Sequence, residues 1–345
     1  MNYINYIIPL WISDNSYCTL KLLEKILSKK NDRKLDGDKI FKMGATLAGC
    51  FVLIVIVLLV FQLITQSYPI WEEEGLSFII GTDWNAADGR ESFGALPYIV
   101  GTLVTSALAM AIGVPLSIGI AMFISDAPKK IGAPLGFLVE LLAAVPSIIY
   151  GLWGLYVFRG FFMNIIEKPL YNTFGDSIWL FSGTPFGLDI FTASIILAIM
   201  IIPTVSSVAR EVMKAVPQQQ KEAAYMLGAT KWEMFKLAIF PYSKTGLIGA
   251  SILGLGRAVG ETMAVTMLIG NATGLNAIPE SLFDPSQTMS SIIANEFVEA
   301  SPAGLHLPAL IAVALILLGI AMVINIIAHL LVTRMLKVKE GAVNS

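Results

Sequence analysis

The feature that most constrains this chain is a series of long apolar runs almost free of charge. A helix needs about 20 mostly apolar residues to cross the hydrocarbon core of a bilayer. Five runs meet that length: Met43–Gln66, Ser92–Ser125, Ile190–Ala209, Thr245–Asn271 and Leu305–Thr333. A sixth, Leu141–Phe158, is shorter and begins beside Glu140. The stretch before it, Ile131–Val139, is interrupted by Gly132, Pro134 and Gly136, so it is expected near the interface with Glu140 reaching water. The chain is 56% hydrophobic and 14% charged over 345 residues. A soluble fold has too little interior to hide that much apolar surface, so an all-α membrane protein with six transmembrane helices is expected.

The lysines and arginines orient these spans, because cytosolic segments carry the excess of positive charge. With the N-terminus inside, eight of the 23 fall between Lys21 and Lys42, two at Lys129 and Lys130, six from Arg210 to Lys244, and three at Arg334, Lys337 and Lys339. The outside loops hold Arg90, Arg159 and Lys168, and the first of them is acidic, with Glu72, Glu73, Glu74, Asp83, Asp88 and Glu91. Both termini are therefore expected in the cytosol. The domain reading is a lead-in over 1–42, a permease domain over 43–335 and a tail over 336–345. Met1–Trp11 is apolar but lacks a basic start, so it is not read as a cleaved signal. The two cysteines, Cys18 and Cys50, and the well-separated His306 and His329 suggest neither a disulfide framework nor a metal site. No cofactor and no nucleic-acid partner is expected.

The largest cytosolic loop, 211–244, reads as two short helices. Pro217 suits a first helical position, and Glu222-Ala223-Ala224 continues the helix with small residues that let a partner approach. Gly228 supplies the left-handed position that ends it. Thr230 to Glu233 fits a capping box opening the second helix, on which Trp232, Phe235 and Ile239 share a face before Pro241 stops it. A loop lying passively on the membrane would have the same amphipathic pattern. The sequence Glu-Ala-Ala, three residues, Gly, then an apolar-Pro step resembles the EAA loop of ABC-importer permeases, with Phe240-Pro241 in place of Leu-Pro. That resemblance implies a coupling helix seated in a cleft of an ATPase subunit. The chain has no Gly-x-x-x-x-Gly-Lys-Ser/Thr phosphate loop, so it is not itself the ATPase. It is read as a transport subunit with no catalytic residue.

The fifth run contains two charges, Arg257 and Glu261. Each costs about 2.5–3.5 kcal/mol at the bilayer centre on the insertion scale, so both should face a polar path or each other. Four residues apart on a helix, they can pair. A structural ion pair would account for them; so would an anion site. The arginine fork suits a tetrahedral oxyanion, and the glutamate can orient the guanidinium or accept a hydrogen bond from a protonated P–OH. Gly256 and Gly260 read as a close-packing face. Ser147, Thr262 and Thr266 are further polar candidates for the path.

Gly256-Arg257-Ala258-Val259-Gly260-Glu261-Thr262-Met263-Ala264-Val265-Thr266 with Gly270-Asn271 closely resembles the fifth span of PstC-type permeases of phosphate ABC importers. Glu140 to Ser147 and Tyr150 to Gly154 resemble their third span, and the region 94–115 their second. The similarity covers roughly residues 90–335. It implies a type I ABC-importer (MetI-like) fold, a heterodimer with a PstA-like second permease, PstB-like ATPases and an external PstS-like binding protein, all working across a lipid bilayer. It also implies that Arg257 and Glu261 serve phosphate passage. The alternatives are a permease for sulfate, molybdate or tungstate, a secondary anion transporter or channel, and a membrane-bound scaffold.

Overall fold

The structure is a computed structural model that describes residues 15–87, 89–301 and 304–343, with side chains from 39 to 333 except 88, 129, 302 and 303. The basic side chains before Lys39 and after Thr333, and that of Lys129, are not among the described side chains, and residues 1–14 and 344–345 of the lead-in and the tail lie outside the described residues. The chain divides into two units, residues 1–62 and residues 63–345. The first is most of helix α1 (Asn15–Glu73), whose apolar side chains from Phe51 to Leu59 are exposed. A bilayer can solvate such a surface, because an α-helix satisfies its own backbone groups.

The second unit is built on α2 (Leu96–Asp126). Gly101, Thr105, Ala109, Gly113, Ser117 and Ala121 recur every four residues along it, and all are buried. Such a stripe of small residues lets another helix approach closely, and Ile201 lies against Gly113. After α2 comes α3 (Lys129–Ala144), which ends at Val145 in an extended conformation imposed by Pro146. The third span is α4, Ser147–Phe174, with π turns at Gly154–Phe158 and Met163–Glu167. The expected run Leu141–Phe158 is therefore corrected: proline divides it, Glu140 belongs to a separate helix, and the span continues past Arg159 and Lys168. Those two cations are helical, not in a loop. At about 1.5 Å per residue the 28-residue helix outruns a hydrocarbon core of about 30 Å, so its outer end can carry them.

The fourth span, α5 (Ile190–Lys214), starts at Asp189, whose carboxylate accepts the Thr192 N–H at 2.8 Å. Two helices follow, α6 (Gln218–Met226) and α7 (Lys231–Met234). Pro217 is the cap before α6, one place ahead of its expected first helical position. Nor does Pro241 stop the second helix. A π turn over Phe235–Ile239 joins α7 to α8 (Phe240–Gly260). In that wide turn the Phe240 N–H reaches back to the Phe235 carbonyl, so the N–H that proline lacks leaves no break. The fifth span thus enters as a continuation of the cytosolic helix.

Beyond α8 lie the short α9 (Met263–Thr266), α10 (Met289–Glu296) and the last span, α11 (His306–Val343). Among the described residues five helices are long and apolar enough to cross a membrane, and the 21-residue α8 makes a sixth, interrupted one. A hairpin of β1 (Trp84–Asn85) and β2 (Ser92–Phe93) decorates the outer loop. Three apolar clusters follow one another along α2: one around Tyr98, Phe78, Met289 and Leu310, one around Ala109, Ile196 and Leu268, and one around Ala121, Met213, Phe235 and Leu247.

Gly256 and Gly260 are exposed with nothing beside them, so they are not a packing face within this chain. Gly246 and Gly254 take that role, against Val212 and Val205 of α5.

Candidate functional site

The cytosolic surface is organised by a pair of helix ends closed by their own local hydrogen bonds. Gly228 adopts φ +80°. Its N–H bonds the Tyr225 carbonyl at 2.9 Å while the Ala229 N–H bonds that of Ala224 at 3.2 Å, the double bond of a Schellman motif. One residue later Thr230 opens α7. The Thr230 N–H donates to Glu233 Oε2 at 2.8 Å and the Glu233 N–H donates to Thr230 Oγ1 at 3.3 Å, a complete capping box. The hydrogen bond from the Thr230 backbone is the main cause holding the Glu233 carboxyl below its ordinary value. Asp126 at the end of α2 accepts from Lys231 Nζ at 2.9 Å, and this contact raises the lysine.

Within this frame Ala224 is buried in the innermost cluster, while Glu222, Ala223 and Gly228 are exposed. Beside them Met226 and Leu227 are 88% and 87% exposed, and Trp232 stacks on Phe235 with half its surface open. Met226 and Leu227 form an apolar knob that the sequence reading did not single out. The signal was available, since two large apolar residues immediately before a helix-ending glycine cannot both turn inward. A mainly apolar groove of about 570 Å³ is walled by Met122, Phe123, Ile131 and Trp232, with the Asp126–Lys231 pair at its edge. A second ion pair, Arg210 Nη2 to Glu140 Oε1 at 2.6 Å, fastens α3 to the inner end of α5.

The second site lies where α8 ends. Arg257 is half-buried in its last turn, and its Nη1 donates to Thr204 Oγ1 of α5 at 3.0 Å. Thr204 was not anticipated; it follows Pro203 inside α5. Tyr150 of α4 lies within electrostatic reach of the guanidinium, and its hydroxyl donates to the Leu142 carbonyl at 2.8 Å across the Pro146 break. Glu261 is not on the helix. Its backbone is extended at φ −70°, ψ 129°, and among the described residues it makes no ion pair with Arg257. The expected i,i+4 pairing is thereby corrected: it requires an uninterrupted helix, and this one stops at Gly260. The Glu261 carboxylate instead lies over the start of α9, 3.5 Å from the Ala264 N–H, and both charges keep free hydrogen-bonding capacity in a polar break.

That break is held from outside by the segment 270–296, which folds back onto α2. Ser290 Oγ donates to the Glu261 carbonyl at 2.8 Å. Thr102 Oγ1 accepts the Met289 N–H at 2.9 Å, and Gly101, lacking a side chain, lets the Gln287 carbonyl lie against α2. Sequence alone assigns no role to residues 272–304, between the last two apolar runs. Of the further path candidates, Thr266 Oγ1 is spent on the Thr262 carbonyl at 2.7 Å, while Ser147 and Thr262 are half-buried near the break.

Comparison with known proteins adds three findings. Residues 113–337 match the family described as binding-protein-dependent transport system inner membrane component. The chain is 47% identical to the phosphate transport system permease protein PstC of Pasteurella multocida over 88% of its length and 93% of that protein. It is 43% identical to the protein of the same name from Haemophilus influenzae, over 88% and 95%. Among solved structures, a chain of the MetNI methionine ABC transporter in an inward-facing conformation is similar at a TM-score of 0.49 with 16% identity, covering 70% of this chain and 94% of that one.

Proposed function

Because the chain belongs to the binding-protein-dependent transport family of inner-membrane components, and within it to the PstC-type permeases, we infer that it is the membrane subunit of an ABC importer that moves inorganic phosphate into the cell. The observation that carries this reading is the 47% identity to a phosphate permease across nearly the whole of both chains. It is a multi-pass transport subunit, not an enzyme, and it works with a second permease, an ATPase and a binding protein. The finer assignment is a heterodimer with a PstA-like permease, two PstB-like ATPases and a PstS-like donor outside.

Two sites of this chain are assigned to that work. The exposed Glu222-Ala223 edge, with Gly228 and the Met226–Leu227 knob, is the surface that seats in the ATPase. The π turn supports this reading, because α7 and α8 are one continuous rod from the motor surface to the break at Glu261. Closure of the ATPase on ATP can then displace that break without a flexible joint to absorb the movement. Arg257 is assigned as the transient contact for phosphate. Its fork makes charge-assisted hydrogen bonds to an oxyanion, and Thr204 occupies only part of its capacity. Glu261, unpaired with Arg257, is free to accept from the P–OH of a protonated phosphate, a donor that sulfate lacks at neutral pH. One such contact favours passage, since tight binding would slow release.

The test is uptake of labelled phosphate by the reconstituted transporter, with and without excess sulfate. Arg257→Gln is expected to lower the uptake rate by roughly 10- to 100-fold, the value of one charge-assisted hydrogen bond of about 1.5–3 kcal/mol. Unchanged uptake would remove Arg257 from the path, and competition by sulfate would shift the cargo to another oxyanion.

A further inference from the structure

Away from both sites, two carboxyl groups are buried together near the outer ends of α4 and α5. Glu167 and Asp189 have no exposed surface. Both converge on Thr192: its N–H donates to Asp189 Oδ1 at 2.8 Å, and its hydroxyl donates to Glu167 Oε1 at 2.6 Å. The remaining oxygens, Glu167 Oε2 and Asp189 Oδ2, are buried and receive no hydrogen bond. The two side chains lie within hydrogen-bonding reach of each other. Two ionised carboxylates cannot persist in that arrangement, because each would lose its hydration and face a like charge.

We propose that Glu167 and Asp189 form a binding site for a single proton, shared between Glu167 Oε2 and Asp189 Oδ2, that fastens the outer end of the third span to the start of the fourth. One proton repairs both orphaned atoms at once, making a charge-assisted O–H···O⁻ bond out of two unsatisfied acceptors. Position decides which group carries the charge. Asp189 caps α5, where the helix dipole and the Thr192 N–H favour an anion, so the proton resides on Glu167.

The charged groups on the surrounding elements fit a pair with one negative charge. Arg159 approaches from α4, with its side chain against Gly187 and its Nε donating to the Phe186 carbonyl at 3.1 Å. Lys168 is exposed and bound to Asn164 Oδ1. Asp284 comes from the segment whose backbone bonds the first residues of α5, and its carboxylate is occupied by the Glu280 and Ser281 N–H groups. Among the described residues only Arg159 remains to balance the pair.

Sharing one proton between two buried carboxyls makes the folded protein hold that proton more tightly than the unfolded chain does. The stability tied to it is therefore complete in acid, where both states carry the proton, and drains away as pH rises and the folded pair gives it up.

Thermal unfolding of the assembled transporter in detergent at pH 5 and pH 9 tests the site. Glu167→Gln imitates the protonated carboxyl, since its amide donates to Asp189 and its carbonyl accepts from Thr192. The wild-type midpoint is expected to fall over that range by about 2–4 °C more than that of Glu167→Gln. Infrared difference spectra should contain the C=O band of a buried protonated carboxyl in the wild type at neutral pH, absent from the variant. Equal pH slopes in the two proteins, or no such band, would overturn the proposal. So would a wild-type midpoint at neutral pH that depends on sodium against N-methylglucamine, which would make the pair a cation site. If Glu167→Gln does not assemble, Asp189→Asn serves the same comparison, because asparagine also caps a helix. Neither variant touches Arg257 or the motor surface, so the outcome is independent of the transport assignment.

Discussion

Two helices of this protein end about thirty residues apart, and they end in opposite ways. At Gly228 the Ala223, Ala224 and Tyr225 carbonyls at the end of α6 find partners within five residues, and the next helix is capped two residues later by its own side chains. At Gly260 helix α8 stops without such a turn: the Thr262 hydroxyl donates to the Gly260 carbonyl only over a long 3.4 Å, and the extended Glu261 is held by Ser290, contributed by a segment about thirty residues further on. A locally closed end is rigid regardless of what surrounds it, which suits a surface that must push. An end closed from a distance moves when its distant partner moves, which suits the point where a path opens.

The sharpest way to separate the two ends is Glu222→Lys. Among the described residues the exposed carboxylate makes no hydrogen bond or ion pair, so the fold should survive while ATP-driven uptake is abolished and the ATPase no longer co-purifies. Normal uptake by that variant would remove α6 from the coupling surface. A smaller effect is expected from Gly228→Ala, because a Cβ in the left-handed conformation costs roughly 1–2 kcal/mol. Nothing crowds the position, so the loss should appear as a several-fold weaker ATPase association in a pull-down titration, with the Arg257 region unaffected. The smallest change is Ser290→Ala, which deletes one hydrogen bond worth about 1 kcal/mol. Hydrogen exchange should then rise around Glu261 and Thr262 while 224–234 stays as protected as in the wild type. Equal changes at both ends would break the distinction.

Which parts were legible follows from the same contrast. The Gly228 turn and the Thr230–Glu233 box were readable to the residue, since each is a local motif whose partners lie a few positions apart. The third span was misplaced because its apolar run continues across Pro146, and hydropathy does not register that proline splits the run into two helices. Pro241 was misread in the opposite sense: a π turn absorbed it, and no local pattern announces one. Arg257 and Glu261 were rightly singled out as costly charges, yet their pairing was an inference from helical spacing that the break at Gly260 cancels. Thr204 and Ser290 could not be found at all, because their importance is set by distances across the fold.

The sequence by itself determined that this chain lives in a bilayer and, through its resemblance to PstC-type permeases, the family to which it belongs. It also determined the form of its cytosolic helix pair and the presence of two charges in the fifth run. These follow from apolar length and short-range hydrogen bonding, which are properties of contiguous residues. Only the tertiary structure decided that Arg257 is aimed by Thr204, that Glu261 stands free of it, and that Glu167 meets Asp189. A hydrogen bond depends on where two groups are placed in space, and residues about twenty to fifty positions apart acquire that placement only when the helices pack.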